Sequence, residues 1–288
     1  MTQEQVAVTA EKIRAGKTSL GIEFGSTRIK AVLIDDNFQT IASGDYSWAS
    51  HLEDGLWSYT TEEIWGGLQT AYARMAGDVE TAYGERLTHV GHIGFSAMMH
   101  GYLAFDESGE LLVPFRTWQN TNTHEAHEKL SELFQYNIPE RWSVAHLYQA
   151  VLNHEEHVSK VDYITTLAGY VHWKLTGEKV LGVGDASGMF PIDPATHTYE
   201  TEFIKRFDAI EEVAAQPWKL ENLLPRPLVA GTPAGTLTAE GVTTIPVAND
   251  EEGHKKMEEM LNNHEVDGAV TMHYPFPIGV STVGRAIT

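Results

Sequence analysis

Two runs rich in apolar residues, Ser19-Leu20-Gly21-Ile22-Glu23-Phe24 and Ile29-Lys30-Ala31-Val32-Leu33-Ile34, are separated by Gly25-Ser26-Thr27-Arg28. Apolar runs of strand length on either side of a glycine turn predict a β-hairpin. Asp36-Asn37 offers a second turn, and residues 40–48 a third strand. The period then changes. Thr60 and Glu63 form a capping box, followed by Ile64, Leu68, Tyr72, Met75 and Val79 at helical spacing, with Gly84 as the stop. Residues 90–97 carry the Ile93 and Phe95 alternation of a buried strand, and residues 102–105 and 111–115 predict two further strands around the turn Asp106-Glu107-Ser108-Gly109. The order β-β-β-α-β predicts an α/β fold with a mixed sheet covered by helices.

Helical patterns follow over 123–134, 144–152 and 166–175, the last closed by Thr176-Gly177. A strand over 179–183 leads into Gly184-Asp185-Ala186-Ser187-Gly188, and Phe203, Ile204, Phe207 and Ile210 mark another amphipathic segment. Leu223-Leu224-Pro225-Arg226-Pro227 and residues 231–235 read as a Pro/Gly-rich connection, the best boundary candidate in the chain. Beyond it, 249–263 reads as a charged helix and 268–273 as a short strand. The expected organisation is a polar leader over 1–18, a domain over 19–240 and an atypical tail over 241–288.

Composition narrows the function classes. The 288 residues include no cysteine, which removes disulfide scaffolds, thiolate catalysis, Cys-ligated zinc and haem-thiolate chemistry. Forty acidic against 20 basic residues, a formal net charge of −20, argue against a nucleic-acid partner. No apolar stretch reaches the ~20 residues of a membrane helix. The start of the chain lacks the basic and apolar pattern of a signal peptide, so the expected location is the cytoplasm.

Three places could carry chemistry. The Gly25-Ser26-Thr27 turn, with Arg28 and Lys30 beside it, can bring backbone N–H groups and cations to a phosphate, and Glu23 could hold a water-coordinated Mg²⁺ against it. The same turn is more often merely structural, and it is not a P-loop, since no Gly-Lys-Ser/Thr opens a helix after it. Asp185, among small residues, could accept a hydroxyl proton or could serve as an Asx turn or helix cap. Ser96-Ala97-Met98-Met99-His100-Gly101 ends a buried strand, where ligand contacts of open sheets emerge, although a histidine such as His100, taken alone, is more often a satisfied, partly buried residue than a ligand contact. The pairs His89/His92, His124/His127 and His154/His157 have no placed third ligand, so no structural metal is expected.

Together these segments resemble the FGGY family of carbohydrate kinases, which belong to the actin-like, ribonuclease H-like ATPases. Residues 20–32 look like the family's opening phosphate hairpin, with Glu23 where the family usually has Asp. Met98-Met99-His100-Gly101 is similar to the Gln-Met-His-Gly of the xylulose kinase branch, and Asp185-Ala186-Ser187-Gly188 to the stretch holding its catalytic base. Residues 114–118, 168–177 and 223–237 also match in order and spacing. The resemblance implies a ribonuclease H-like domain that uses ATP and Mg²⁺ to phosphorylate a sugar, a ketopentose such as xylulose. It assigns Asp185 as base, Met99, His100, Gly101 and Trp118 to the sugar, Gly25, Ser26, Thr27, Arg28 and Lys30 to phosphate, and Glu23 to Mg²⁺ through water. After Trp118 the family commonly shows Asp and Arg, whereas this chain has Gln119-Asn120-Thr121-Asn122. The family's Gly-Gly-Gly adenosine signature is not recognisable, so the expected partners are a sugar, a separately supplied ATP-binding half and a second copy of the chain. The alternative is a non-catalytic sugar-binding or regulatory remnant.

Overall fold

The computed structural model describes residues 2–88 and 90–238, together with the backbone of 285–287. The readings of a helix over 249–263 and a strand over 268–273 lie outside these residues. No helix among the described residues is long and apolar enough to cross a membrane.

The chain opens with helix α1 (Gln3–Arg14), capped by Thr2, whose side chain and that of Gln5 form a reciprocal capping box. Strands β1 (Thr18–Phe24), β2 (Arg28–Asp35) and β3 (Thr40–Ser47) follow as an antiparallel meander, as the apolar runs predict. A small hairpin of β4 (His51–Glu53) and β5 (Leu56–Ser58) comes next. Helix α2 (Thr61–Tyr83) has the predicted Thr60/Glu63 box and ends on Gly84 in the left-handed conformation. Strand β6 (His92–Ala97) then pairs parallel to β1, with Leu20 beside Ile93 and Phe24 beside Ala97.

The next strands leave the main sheet. β7 (Leu103–Phe105) and β8 (Tyr163–Thr165) form an antiparallel ribbon, separated in sequence by helices α3 (His124–Phe134) and α4 (Ser143–Leu152). After β8 come α5 (Leu167–Thr176), β9 (Val180–Gly182) and the single turn α6 (Val183–Ala186). A two-residue ribbon, β10 (Ile192–Asp193) with β11 (Thr198–Tyr199), precedes α7 (Thr201–Asp208) and the short turns α8 (Glu211–Ala214) and α9 (Leu220–Leu223). β12 (Arg226–Leu228) pairs parallel to β9, and β13 (Pro233–Thr236) pairs with β14 (Arg285–Ile287). The principal sheet therefore runs β13-β14-β6-β1-β2-β3 and is mixed.

Two predicted features take another form. Residues 111–115 make no strand; Leu111 and Arg116 each form one isolated bridge, to Phe105 and Tyr102, with Pro114 between them unable to donate to a ladder. The Pro/Gly-rich stretch after Leu223 is no loose connection, because its residues pair through β12 and β13.

Two apolar cores share the ribbon. One gathers Leu20, Ile22, Phe24, Ile29 and Leu33 of the sheet with Ile64, Leu68 and Met75 of α2 and Leu167 and Val171 of α5. The other gathers Leu130 and Phe134 of α3, Leu147 and Val151 of α4, and Phe207 of α7. Side chains of a strand alternate between faces, so Leu103, Phe105 and Tyr163 of the ribbon enter the first core while Tyr102, Ala104 and Ile164 enter the second. The ribbon is thus held on both sides, and its end is a rigid place to build a site. On the sheet face away from α2, a groove of about 570 Å³ is lined by residues including Ser19, Gly21, Glu23, Lys30, Val32 and Ser96.

Candidate active site

Parallel pairing of β1 and β6 makes the chain leave both strands at the same end of the sheet: the glycine turn follows Phe24 and the Met98–Gly101 segment follows Ala97. The main-chain N–H of Met98 donates to the Phe24 carbonyl at 2.9 Å, so the two loops start side by side. Ser26, Thr27, Arg28 and Lys30 are all exposed at this edge. Lys30 stands opposite Glu23 in the ladder and donates to its Oε2 at 3.2 Å, while Arg28 lies 3.5 Å from the Asp45 carboxylate. The Glu23 Oε1 has no hydrogen-bond partner among the described residues, so this carboxylate can accept from a metal-bound water. Among the described residues no group of three or more His, Asp or Glu is arranged to hold a metal. A single exposed carboxylate can hold a hydrated Mg²⁺ through water where other ligands complete its shell.

The Met98–Gly101 segment is fastened tightly. The Gly101 N–H donates to the Arg141 carbonyl at 3.1 Å, and the Ser143 hydroxyl donates to the Gly101 carbonyl at 2.6 Å. Gly101 has φ of 86°, and a Cβ there would stand 2.6 Å from the Arg116 carbonyl oxygen, so only glycine fits. His100 also lies in the left-handed region, at φ 69°. A non-glycine residue held there stores strain of a kind that collects at functional sites. Its Nδ1 stands 3.2 Å from the Gly188 carbonyl oxygen. A carbonyl only accepts, so Nδ1 carries the proton, and the neutral ring keeps Nε2 as an acceptor. Burial lowers the pKa of this ring, the Gly188 carbonyl opposes that, and the Arg141 charge lowers it further. Met99 and Trp118 nearby in sequence to this segment and to Arg116 expose 40% and 41% of their surface, enough for apolar contact with a ligand.

Asp185 arrives from the other direction. Leu103 of β7 pairs with Thr165 of β8, so Thr166, the next residue, lies at the ribbon end where His100-Gly101 enters. The Thr166 hydroxyl donates to Asp185 Oδ2 at 2.7 Å, and the N–H of Gly188 donates to the Asp185 carbonyl at 2.9 Å. Asp185 Oδ1 is buried with no hydrogen-bond partner among the described residues. Burial raises the pKa of Asp185 to about 6, against the lowering effect of the Thr166 hydroxyl. The aspartate stands in the turn α6, an ordered helical position rather than a flexible loop. Asp185 and His100 are therefore joined through Gly188, which bonds to both.

Thr166 was not apparent as a site residue from sequence. The sequence places it at the start of the helical stretch 166–175, but its bond to Asp185 spans 19 positions and depends on the ribbon. Asn120 gives a physical reason for one departure after Trp118. Its Oδ1 accepts from the Trp57 N–H at 2.8 Å, and its Nδ2 donates to the Trp57 and Thr117 carbonyls at 2.9 and 3.1 Å. An aspartate could not supply that donor, so Asn120 pins the β4–β5 hairpin to the loop carrying Trp118. The helical histidines are engaged elsewhere: His124 with Glu128 and Glu140, His127 with the Ile138 carbonyl, and His157 with the Tyr102 hydroxyl.

Comparison with known proteins supplies relatives for this arrangement. Residues 18–248 match the sequence model of the FGGY family of carbohydrate kinases, N-terminal domain. The xylulose kinase of Klebsiella pneumoniae is 26% identical over 197 residues, covering 66% of this chain and 40% of that protein. A shorter likeness, 50% identical over 54 residues, is to the glycine/sarcosine/betaine reductase complex component C subunit alpha of Peptoclostridium acidaminophilum, covering 19% of this chain and 14% of that protein. Among solved structures, the xylulose kinase from Rhodospirillum rubrum superposes with a TM-score of 0.62 at 18% identity, covering 78% of this chain and 45% of that one. The fold is that of the ribonuclease H-like sugar kinases, and the chain spans less than half the length of these relatives.

Proposed function

Because the chain belongs to the FGGY family of carbohydrate kinases, we propose that its residues 19–240 form the sugar-holding half of a kinase that phosphorylates a ketopentose such as xylulose. The observation that carries this reading is the Asp185 carboxylate. One oxygen is held by Thr166, the other is buried without a hydrogen-bond partner among the described residues, and the main chain of the same residue is joined through Gly188 to His100, whose Nε2 is left to accept a hydrogen bond from a hydroxyl. A carboxylate with one oxygen fixed by Thr166 and the other left open to accept a proton suits a general base, and this favours the kinase over the binding module.

In the proposed reaction a sugar hydroxyl attacks the γ-phosphorus of ATP. The new O–P bond forms as the bond to the ADP oxygen breaks, and Asp185 Oδ1 takes the hydroxyl proton. His100 Nε2 accepts a hydrogen bond from a second hydroxyl and fixes the sugar, while Met99 and Trp118 offer apolar surface to its C–H face. The amides of Ser26 and Thr27, with Arg28 and Lys30, meet phosphate oxygens. Glu23 would hold Mg²⁺ through water, and the ion neutralises charge on the phosphoryl group when bound. Turnover is expected only where an ATP-binding half completes this site.

Sugar binding tests the reading on the chain as it stands. Calorimetric titration with xylulose, ribulose and glycerol is expected to show a ketopentose bound best. His100→Ala should weaken that binding by about 1–3 kcal/mol, because it leaves a sugar hydroxyl without its acceptor. Absence of any sugar binding by the folded wild-type chain would overturn the assignment.

Thr166 sets the state of the base. The Thr166→Val change removes a hydrogen bond that favours the carboxylate, so the Asp185 titration midpoint should move above about 6, while Thr166→Ser retains it. Carboxyl ¹³C NMR titration reads the midpoint directly. An unchanged midpoint in Thr166→Val would remove Thr166 from this role.

A further inference from the structure

The glycine turn is backed by two aromatic side chains that no reading of the site has used. Trp48 follows β3 and Tyr59 follows β5, both are buried, and their ring centroids lie 4.2 Å apart. The Trp48 indole N–H donates to the Gly25 carbonyl at 2.7 Å, and the Tyr59 hydroxyl donates to the Ser26 carbonyl at 2.7 Å. The main-chain N–H of Trp48 donates to the Thr27 carbonyl at 3.2 Å. Three successive carbonyls of the turn are thus drawn inward.

A trans peptide plane carries its C=O and N–H in opposite directions. Holding the Gly25 carbonyl inward therefore turns the Ser26 N–H outward, and holding the Ser26 carbonyl inward turns the Thr27 N–H outward. Neither amide has a hydrogen-bond partner among the described residues. The nearby cations are less available, since Lys30 is engaged by Glu23 and Arg28 stands beside Asp45. Anion recognition then falls first on the two oriented amides. Burial raises the pKa of Tyr59, with a hydrogen bond from Ser50 opposing and the charge of Glu63 adding to it, so the phenol keeps its proton and remains a donor.

We propose that Trp48 and Tyr59 are positioning residues for phosphate binding: by fixing the carbonyls of Gly25 and Ser26 they aim the Ser26 and Thr27 amides at a phosphate oxygen. This rests on the reading of the turn as the phosphate-holding element. The aromatic pair sets the orientation of the peptide planes before any anion arrives, so the amides need no reorganisation on binding.

The test is a titration of the ¹⁵N-labelled chain with inorganic pyrophosphate, followed through the Ser26 and Thr27 amide resonances, on wild type, Tyr59→Phe and Trp48→Phe. Tyr59→Phe keeps the ring and removes only the donor, so it should fold normally. Trp48→Phe removes the indole N–H, and its effect is read only on protein whose melting matches wild type. The wild-type amides are expected to shift with pyrophosphate, and each variant should bind it about threefold to tenfold more weakly, with ketopentose binding unchanged. A purely structural role for the rings predicts lower melting temperatures with unchanged pyrophosphate affinity, and that result in Tyr59→Phe would overturn the proposal. If the wild-type amides do not respond at all, the phosphate reading of the turn itself fails.

Discussion

Asp185→Asn is expected to lower kcat by about 10²–10⁴ with little change in sugar affinity, measured with the ATP-binding half supplied by fusion or in trans. The amide is isosteric and can still accept from Thr166, but it cannot take a proton from the attacking hydroxyl. The same change carries an opposite signature in stability. The folded-state pKa of Asp185, about 6, lies above its ordinary 3.8. The native state therefore holds its proton longer than the unfolded chain, and stability falls as pH rises through the window between those values. Above pH 6 the cost of the buried charge is fully present, at about 1–3 kcal/mol once partial solvent access is discounted. Asp185→Asn relieves it, so the variant should melt no earlier than wild type at pH 8 and lose that advantage at pH 4. An ordinary turn aspartate predicts the reverse, early melting and normal turnover per folded molecule, and differential scanning calorimetry beside the kinetics decides between them.

The second large effect is expected at Gly44, far from the chemistry. Helix α2 crosses β3 so closely that a Cβ on Gly44 would stand 2.1 Å from the Ala71 carbonyl oxygen and 2.5 Å from the Met75 nitrogen, both backbone atoms of the helix. A side chain can rotate away from such a clash, whereas a helix must move as a body. It would pull Leu68, Met75 and Val79 out of the core they fill. Gly44→Ala should cost about 3 kcal/mol, at the upper end for overpacking. At about 2–4 °C per kcal/mol for a chain of this size, the melting temperature should fall by about 6–12 °C. A melt within about 2 °C of wild type would show that α2 can be displaced freely.

Local signals made much of the architecture readable. The α2 boundaries follow from Thr60, Glu63 and Gly84, and the opening hairpin from its two apolar runs, because capping and turn chemistry act between near neighbours. The hairpin of β4 and β5 escaped notice since its strands are three residues each and Leu52 and Trp57 stay exposed, which gives no burial pattern to detect. Residues 111–115 are apolar enough for a strand, but Pro114 forbids a continuous ladder. At the site, Asp185 and His100 were visible through the resemblance of their segments. Their link through Gly188 and the grip of Thr166 were not, because both depend on a ribbon whose strands are about 60 positions apart, Leu103 opposite Thr165.

The parallel pairing of β1 with β6 has a consequence for how the protein is made. A growing chain can close the β1–β2–β3 meander and lay α2 on it as soon as Tyr83 has emerged, since each contact joins adjacent segments. The seat beside β1 waits for β6, and the carboxylate end of the site waits for Asp185, after α3 and α4 have been synthesised. Vectorial synthesis therefore completes the glycine-turn edge first and the Asp185 edge last. Until β6 docks, the β1 edge stands bare, and a ribosome that stalls between Gly84 and Ala97 would leave an open strand able to pair with another chain.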